Sequence, residues 1–249
     1  MFDLLKIRWH HDRPYVPDPR TATVAAPFHG RPELRAASCT QCGRCEAVCP
    51  SAAVTARPLR IDLGRCVFCG DCQEVCTERA IEFTTGHRLA TFGREALLVG
   101  EGIGETPAPA PEEVRSWIHR LFGRSFKLRQ VSAGGCNGCE MELNACGNVN
   151  FDMGRYGIEF VASPRHADAV VVTGPVSENM AAALEDTWRA VPRPRLVIVV
   201  GACAISGGVF AQSAALRREF FDRHPVDLYV PGCPPHPLTF IDGILRLIS

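Results

Sequence analysis

Short apolar runs alternate with helix-like stretches through the second half of the sequence. The runs are FKLRQVS, IEFVA, ADAVVVTG, RLVIVVG and VDLYVPG. The helical stretches between or after them are EMELNACGNV, ENMAAALEDTWRAV, AALRREFFDRH and PLTFIDGILRLIS. Near-continuous apolar strands that alternate with helices are typical of a mostly parallel sheet covered on both faces. The pattern predicts an α/β domain over residues 116–249.

The first half contains an internal repeat in place of this alternation. CTQCGRCEAVCPSAAV (39–54) and CVFCGDCQEVCTERAI (66–81) superpose at an offset of 27, with all four cysteines in register. A strand-like link, RPLRIDLGRC, joins them. Two unrelated cysteine-rich loops would not share this register, so we predict a small domain over residues 38–99.

Two segments lack the periodicity of either half. Residues 1–37 are rich in proline and arginine, and we expect an irregular arm there. Residues 100–115 begin with GEGIGETPAPAPEE, which has the composition of a linker. Its glycines resemble a dinucleotide-binding loop only faintly, because no strand–turn–helix surrounds them.

An amphipathic stripe follows this linker in EEVRSWIHRLFG. Five apolar residues recur there at helical spacing: Val114, Trp117, Ile118, Leu121 and Phe122. They predict one face of a short helix that Gly123 can end. We expect this face to pack on its own domain, and docking on a membrane subunit or the membrane surface is the alternative.

Charge and hydropathy exclude two function classes. The 249 residues include 27 basic and 27 acidic residues, and a formal net charge of +0 does not attract nucleic acid. The longest apolar run, LVIVVGACAI, has about half of the roughly 20 residues that a membrane span needs. We therefore expect no nucleic-acid partner and no membrane crossing by this chain alone.

The unusual component is cysteine, with 13 residues. The opening stretch MFDLLKIRWHHDRPYVPDP lacks the charged start and apolar run of a signal peptide, which favours metal binding over disulfides. Eight cysteines lie between Cys39 and Cys76, and five lie between Cys136 and Cys233. The two halves of the chain therefore carry separate sets of metal ligands.

The repeated spacing Cys-x2-Cys-x2-Cys-x3-Cys is specific for [4Fe–4S] clusters. Three closely spaced thiolates wrap one face of a cube, and the fourth cysteine of each run ligates the other cluster. The first predicted site is Cys39, Cys42, Cys45 and Cys76. The second predicted site is Cys66, Cys69, Cys72 and Cys49. Zinc is the alternative, but it needs four ligands per site and does not explain two duplicated quartets in this register.

The second run departs from the pattern at one position. Thr77 stands where the signature, and Pro50 in the first run, has proline. Because this substitution changes a turn residue and removes no ligand, the prediction of two clusters is unchanged.

The remaining cysteines follow strands of the predicted parallel sheet. In such a sheet, ligands bind in the crevice beyond the carboxyl ends of the strands. Four cysteines occupy loops at that edge: Cys136, Cys139, Cys203 and Cys233. Cys146 follows Cys139 by about two helical turns. We expect it to point away from the edge and to be a buried small hydrophobe.

Four titratable residues near these cysteines have ordinary interpretations. Glu140 and Glu142 fit surface carboxylates at the start of a helix that begins near Gly138, with proton transfer at a subunit interface as the alternative. His166 is expected to be a loop histidine. His236 is expected to cap the last helix, and support of the Cys233 site is the alternative.

The motifs CNGCEME, SPRHADAVVVTG, GACAISGGVF and PGCPPHP occur together in the second half. Together they resemble the small subunit of membrane-bound, energy-converting [NiFe] hydrogenases, which is homologous to the cluster-bearing B subunit of respiratory complex I. The first half, including FHGRPEL, is similar to the two-cluster ferredoxin subunit of the same complexes, such as formate hydrogenlyase. The sequence thus resembles a fusion of two subunits.

The resemblance implies that Cys136, Cys139, Cys203 and Cys233 hold a proximal [4Fe–4S] cluster facing the active site of a partner. The expected fold is a small two-cluster ferredoxin-like domain followed by a flavodoxin-like α/β domain with a mostly parallel sheet. The expected role is electron transfer through three [4Fe–4S] clusters, without activity of the chain alone. The implied partners are a large catalytic subunit and membrane subunits, and the implied position is peripheral, on the cytoplasmic side of the inner membrane.

Three functional hypotheses remain after this resemblance. Hydrogenase-type members space the first two ligands as Cys-x-x-Cys, as this sequence does, whereas complex I members have adjacent cysteines. A nickel-free, complex I-like quinone oxidoreductase is the alternative, because nickel ligands lie on the large subunit. A free electron carrier is the third hypothesis, and a large exposed apolar surface around CNGC and PGCPP would argue against it.

Overall fold

The structure, a computed structural model, describes residues 2–11, 15–100 and 125–248. Of the expected linker over residues 100–115, only Gly100 lies inside these ranges. The expected helix of residues 114–122 lies outside them. All 13 cysteines lie inside them, and each has a free thiol. No disulfide therefore links the cysteines of the described ranges.

The helices and strands of the described residues are numbered in chain order. The helices are α1 (Phe2–His11), α2 (Arg44–Val48), α3 (Asp71–Glu74), α4 (Gly138–Ala145), α5 (Glu178–Ala190), α6 (Ala202–Ser206), α7 (Glu219–Arg223) and α8 (Pro237–Ile248). The strands are β1 (Pro32–Leu34), β2 (Val54–Ala56), β3 (Leu59–Asp62), β4 (Ile81–Phe83), β5 (Leu98–Gly100), β6 (Phe126–Ser132), β7 (Ile158–Phe160), β8 (Ala169–Thr173), β9 (Leu196–Val200) and β10 (Leu228–Val230).

Two small antiparallel sheets form the first half. Strand β1 pairs with β4, and β2, β3 and β5 form a three-stranded sheet in that order. The expectation of an irregular arm over residues 1–37 is wrong in two places. Residues 2–11 are helical, and Pro32–Leu34 belong to the sheet because they pair in register with Ile81–Phe83.

A five-stranded parallel sheet forms the second half. Its strand order is β10-β9-β8-β6-β7, and every neighbouring pair is parallel. Numbered within this half, the order is 2-1-3-4-5, which is the flavodoxin-like arrangement. All residues of β8 and β9 are buried, as their uninterrupted apolar sequences predict. The predicted α/β architecture is confirmed.

Helices cover both faces of this sheet. Alternate residues of β8 point to opposite faces: Val170 and Val172 pack with Leu184 of α5, and Val171 packs with Phe240 of α8. Helix α4 lies on the same face as α8, and α6 lies on the same face as α5. The sheet therefore presents its cysteine loops only beyond its carboxyl edge.

Two helices of the second half differ from the sequence prediction. The stretch AALRREFFDRH is helical only over Glu219–Arg223. The short helix α6, which carries Cys203, was not predicted. Gly201 and Gly207 flank it with φ angles of 89° and 88°, and these left-handed residues limit it to little more than one turn.

The two halves share one core and several polar contacts. One hydrophobic cluster contains Leu63 and Leu97 of the first half together with Val199 of the second. The backbone of Thr91 pairs with that of Tyr229, which lies in the edge strand β10. The side chain of Asp242, which is fully buried in α8, accepts a hydrogen bond from Arg88 at 3.2 Å. The ferredoxin-like half is therefore packed directly on the α/β half.

Candidate metal centres

The two cysteine runs have the same backbone shape as well as the same spacing. Residues that lie 27 positions apart adopt matching left-handed conformations: Gln41 and Phe68 (φ 55° and 57°), Gly43 and Gly70 (80° and 88°), and Ala52 and Arg79 (50° and 48°). Left-handed residues turn the chain sharply, which lets three nearby thiols face one point. The sequence repeat is thus also a structural repeat.

Backbone N–H groups point at the sulfur atoms in both runs. The N–H of Gln41 donates to Cys39 Sγ at 3.4 Å, and at the matching position Phe68 donates to Cys66 Sγ at 3.3 Å. The fourth cysteine of each run receives the same contact, from Ala53 to Cys49 at 3.2 Å and from Ala80 to Cys76 at 3.3 Å. Such donors stabilise a negatively charged thiolate and tune the potential of a bound cluster.

The first predicted quartet is brought together in space. The Cys45 thiol interacts electrostatically with Cys39 and Cys76, and the Arg44 guanidinium interacts with Cys42 and Cys76. Residues from both runs therefore surround one point, as the exchange of fourth cysteines predicts.

The second predicted quartet forms in the same way. Cys66 interacts electrostatically with Cys72, Cys49 and Cys69, and burial raises the pKa of Cys66 and of Cys72 to about 12. Cys72 also interacts with Cys45, which belongs to the first quartet. The two quartets are therefore adjacent.

Thr77, which replaces proline in the second run, has a role that the sequence does not reveal. Its hydroxyl accepts a hydrogen bond from Arg44 at 2.6 Å and donates to Glu78 at 3.1 Å. Arg44 also donates to Cys42 Sγ at 3.4 Å and lowers the pKa of that thiol to about 7. Thr77 thus connects the two cysteine runs at an exposed edge.

The third quartet lies at the carboxyl edge of the parallel sheet. Cys136 and Cys139 follow β6 at the start of α4, Cys203 lies on α6 after β9, and Cys233 follows β10. Burial raises the pKa of Cys139 to about 12, with further contributions from Glu140 and from the other three cysteines. Burial likewise raises the pKa of Cys203 to about 11. The four loops converge although they are far apart in the sequence.

Two glycines make this convergence possible. Gly174, at φ 77°, lies so close to Gly135 that a Cβ atom on it would be 2.6 Å from the Gly135 nitrogen. A Cβ atom on Gly201 would be 2.6 Å from Cys139 Sγ. Any larger residue at either position would push the loops apart. Glycine is therefore required here by the close approach of the neighbouring atoms as well as by the turn.

The arrangement of the thiols fits a cluster with four cysteine ligands. Across the described ranges, no three cysteine, histidine, aspartate or glutamate side chains are close enough to hold a single metal ion. Each quartet nevertheless contains thiols that interact electrostatically with one another. A cube places iron and sulfide atoms between its ligands, and therefore holds four thiolates farther apart than one ion does, whose bonds to sulfur are about 2.3 Å for zinc.

Two family models match the chain. Residues 136–247 match the family described as NADH ubiquinone oxidoreductase, 20 Kd subunit, and residues 38–80 match the 4Fe-4S dicluster domain. The B subunit of NADH-quinone oxidoreductase from Desulfovibrio desulfuricans is 38% identical over 164 residues, which cover 66% of this chain and 85% of the relative. The chain belongs to the 20 kDa subunit family.

Other members of the 20 kDa subunit family come from hydrogenase complexes. A probable membrane-bound hydrogenase subunit of Pyrococcus furiosus is 38% identical over 130 residues, covering 52% of this chain and 78% of the relative. Formate hydrogenlyase subunit 7 of Escherichia coli is 42% identical over 136 residues, covering 55% of this chain and 53% of the relative. The resemblance of the sequence to a ferredoxin-type half joined to a hydrogenase or complex I type half is confirmed.

One acidic residue of the 20 kDa half differs from the sequence prediction. Glu140 is buried, with 6% of its surface exposed, and is not a surface carboxylate. Thr173 donates a hydrogen bond to its Oε1 at 2.5 Å. Burial acts to raise the pKa of Glu140, but hydrogen bonds from Ser132 and Thr173 outweigh it and hold the pKa below its ordinary value. Glu142 is half-buried, and burial raises its pKa.

The other predictions about single residues are confirmed. Cys146 is fully buried at the end of α4, and its thiol donates to the Glu142 carbonyl at 3.3 Å. His236 caps α8, because its Nδ1 accepts a hydrogen bond from the N–H of Leu238 at 3.1 Å. His166 is exposed in a short 3-10 turn before β8.

Proposed function

We propose that the chain carries three [4Fe–4S] clusters and conducts electrons between its ferredoxin-like half and a catalytic partner. The observation that supports this most directly is the grouping of twelve cysteines into three quartets, with Cys146 left over in the core. When bound, such clusters accept and release single electrons. The chain itself presents no catalytic residues in this proposal, so no activity is expected from it alone.

The packing of the two halves supports a defined order for the three sites. The second quartet lies nearest to the α/β half, because Val67 and Phe68, between Cys66 and Cys69, line a cavity of about 240 Å³ together with Cys233. A Cβ atom on Gly64, just before Cys66, would lie 2.8 Å from Ile205 on α6. The order that we propose is first quartet, second quartet and third quartet.

An exposed apolar surface supports a protein partner at the third quartet. Met141, Val209 and Phe210 lie within a few residues of Cys139 and Cys203, and they are 65%, 53% and 47% exposed. Cys136 and Cys233 are also exposed. Large exposed apolar residues close in sequence to a binding site are typical of interaction surfaces. This surface favours a large catalytic subunit as the occupant and argues against a free electron carrier.

The partner that we favour is a hydrogenase-type large subunit with a nickel–iron site. The Cys-x-x-Cys spacing of Cys136 and Cys139 supports this choice. A nickel-free, quinone-reducing complex of the complex I type is the second candidate, because the NADH-quinone oxidoreductase relative and the Pyrococcus furiosus hydrogenase relative are both 38% identical to the chain.

A peripheral position on membrane subunits completes the proposal. No helix in the described ranges is long and apolar enough to cross a membrane. Helix α1 exposes four large apolar side chains, those of Leu4, Leu5, Ile7 and Trp9. We propose that α1 attaches the chain to the membrane part of the complex on its cytoplasmic side. In this proposal residues 38–99 and 116–249 are the cores of two functional domains. Strand β1 (Pro32–Leu34) and Gly100 of β5 belong to the first of them, because both pair within its sheets.

The deciding experiment is a metal analysis of the intact complex, isolated anaerobically through this chain. We expect about twelve iron atoms per chain, after subtraction of iron on co-purified partners, and about one nickel atom. Full iron without nickel would replace the hydrogenase proposal by the complex I-like one. About eight iron atoms would refute the third site, and zinc in place of iron would refute the cluster assignment altogether.

A further inference from the structure

Helix α6, which carries Cys203, is too short to hold its own position. It spans five residues, and the last carbonyl groups of any helix have no partner within that helix. The N–H of Gly207 satisfies one of them, the carbonyl of Cys203, at 2.8 Å. The carbonyl groups of Ala204 and Ile205 still need donors.

The guanidinium of Arg218 supplies these donors. It donates to the carbonyl groups of Ala204 at 2.8 Å, Ile205 at 3.0 Å and Cys203 at 3.2 Å. It also reaches the carbonyl of Pro175 at 3.4 Å, in the loop that follows β8. One side chain therefore ties the Cys203 helix to a neighbouring loop of the cysteine edge.

On the side away from Cys203, Arg218 contacts an aromatic ring and borders a cavity. It stacks on the ring of Phe221 at 5.0 Å, and it borders a cavity of about 400 Å³ that Ile205 of α6 also lines. Among the described residues, no carboxylate forms a salt bridge with Arg218, although Asp222 and Cys203 act on its charge. A partly buried positive charge without a paired carboxylate thus lies directly behind a cysteine of the third quartet.

We propose that Arg218 is a positioning residue for the third quartet: its fork of donors fixes the Cys203 helix, and its charge favours the reduced state of the cluster there. Reduction adds a negative charge, which a nearby cation stabilises in a poorly solvated environment. This inference rests on the proposed third cluster and concerns only how this chain holds and tunes it.

The test is a redox titration followed by electron paramagnetic resonance, on the intact complex with Arg218→Gln and Arg218→Lys. The Gln variant removes the charge. We expect the equilibrium constant for reduction of the third cluster to fall roughly tenfold, which lowers its midpoint potential by about 59 mV for one electron. The Lys variant keeps the charge, and we expect a midpoint near that of the natural protein. Lys cannot form the planar fork, so we also expect partial loss of iron from this site alone.

The neighbouring Arg217 provides a matched control. It is partly exposed and forms a salt bridge with Glu178 at 2.9 Å. Arg217→Gln removes the same charge one residue away, and we expect the midpoint and the iron content to stay unchanged. An equal shift in the Arg217 variant, or an unshifted midpoint in Arg218→Gln, would overturn the proposal.

The pattern of cluster signals lost in the variants shows whether Arg218 positions the third quartet or supports folding in general. If Arg218→Gln loses the third-cluster signal while the two ferredoxin-like signals remain, the positioning part of the proposal is supported. If both Arg218 variants lose all three signals together, Arg218 serves general folding only and the proposal fails. An iron content of about eight atoms per natural chain would instead refute the proposed third cluster and with it the proposed function.

Discussion

Asp227 lies at the amino end of the parallel sheet, on the side opposite the cysteine loops. Its carboxylate accepts a hydrogen bond from the N–H of Val197 at 2.7 Å. Burial nevertheless raises the pKa of Asp227 to about 6, from 3.8. A half-buried carboxylate with one donor is easier to protonate than one in water.

This raised pKa predicts a pH dependence of stability. The folded state binds the proton more tightly than the unfolded state, so the contribution of Asp227 is fully present below pH 3.8 and is lost as the pH rises through about 6. Asp227→Asn keeps an acceptor without the charge. We expect its free energy of unfolding, relative to the natural protein, to improve by roughly 1–3 kcal/mol between pH 5 and pH 7.5.

Thermal unfolding of both proteins at the two pH values, under anaerobic conditions, measures this difference. Asp168→Asn is a second test at the same end of the sheet, because burial also raises the pKa of Asp168. A stability difference that stays constant with pH would contradict the prediction for Asp227.

At the scale of loops and helices, glycines determine whether the third quartet can form. Gly174 and Gly43 both have left-handed backbones, with φ angles of 77° and 80°. They differ in their surroundings, because a Cβ atom on Gly43 would meet nothing within 4 Å whereas one on Gly174 would collide with the backbone of Gly135. Comparing alanine substitutions at the two positions therefore distinguishes the cost of backbone strain from the cost of a steric clash.

Gly43→Ala is expected to cost about 1–2 kcal/mol of stability and to keep all clusters. Gly174→Ala carries the same strain and must also move the Gly135 loop, so we expect a total cost of about 2–5 kcal/mol. It is also expected to lose the iron of the third site only. Iron content and thermal stability of the two variants measure these effects, and equal behaviour of the pair would show that the close approach at Gly135 is unimportant.

Helix α1 exposes large apolar side chains that no other described part of the chain covers. Its apolar side chains are exposed, with Trp9 91% and Leu4 72% accessible. Burying such residues gains about 1.5–3 kcal/mol each for side chains of this size. Attachment to the membrane part of the complex would supply that burial.

Replacing Leu4, Leu5, Ile7 and Trp9 by serine is therefore expected to move most of the chain from the membrane fraction to the supernatant. The control variant changes the charged residues of the same helix, Asp3, Lys6 and Arg8, to neutral amides. Cell fractionation with an antibody to the chain provides the measurement. Release of the charge variant alone would show that electrostatic attraction, and not apolar burial, holds α1.

At the scale of the whole molecule, the two halves are joined by buried polar groups as well as by a common core. The fully buried Asp242 accepts hydrogen bonds from Arg88 of the first half at 3.2 Å and from Arg246 at 2.9 Å. Arg246 also donates to the carbonyl of Ala90 at 2.6 Å. This group of charges fixes α8 against the segment that follows the ferredoxin-like repeat.

Asp242→Asn is expected to lower the free energy of unfolding by about 3 kcal/mol, because Arg246, whose side chain is 16% exposed, loses its counter-charge in a largely buried site. The side chain of Arg88 is 53% exposed, so its loss of the same partner adds little. Both halves are expected to unfold in one transition at the lower temperature. The exposed pair of Glu178 and Arg217 is the control, and Glu178→Gln should cost less than about 1 kcal/mol. Two separate transitions in the natural protein would contradict this coupling.

The sequence alone was sufficient for the properties that depend on local spacing. The offset of 27 between the cysteine runs, the strands β6 to β10 and the position of Cys146 followed from periodicity, because neighbouring residues along the chain fix these patterns. The ligand loops at the sheet edge were also predictable, since parallel strands must end on the same side.

Other properties depend on which distant segments meet, and only the tertiary structure decided them. The sequence predicts Glu140 to be a surface residue, but in the fold strand β8 brings Thr173 into hydrogen-bond contact with it. Arg218 has no distinguishing motif, yet the fold places it behind Cys203. Whether the second quartet faces the α/β half depends on the packing of Gly64 on Ile205. Spacing along the chain cannot encode such contacts, because they arise from the burial of both halves in one core.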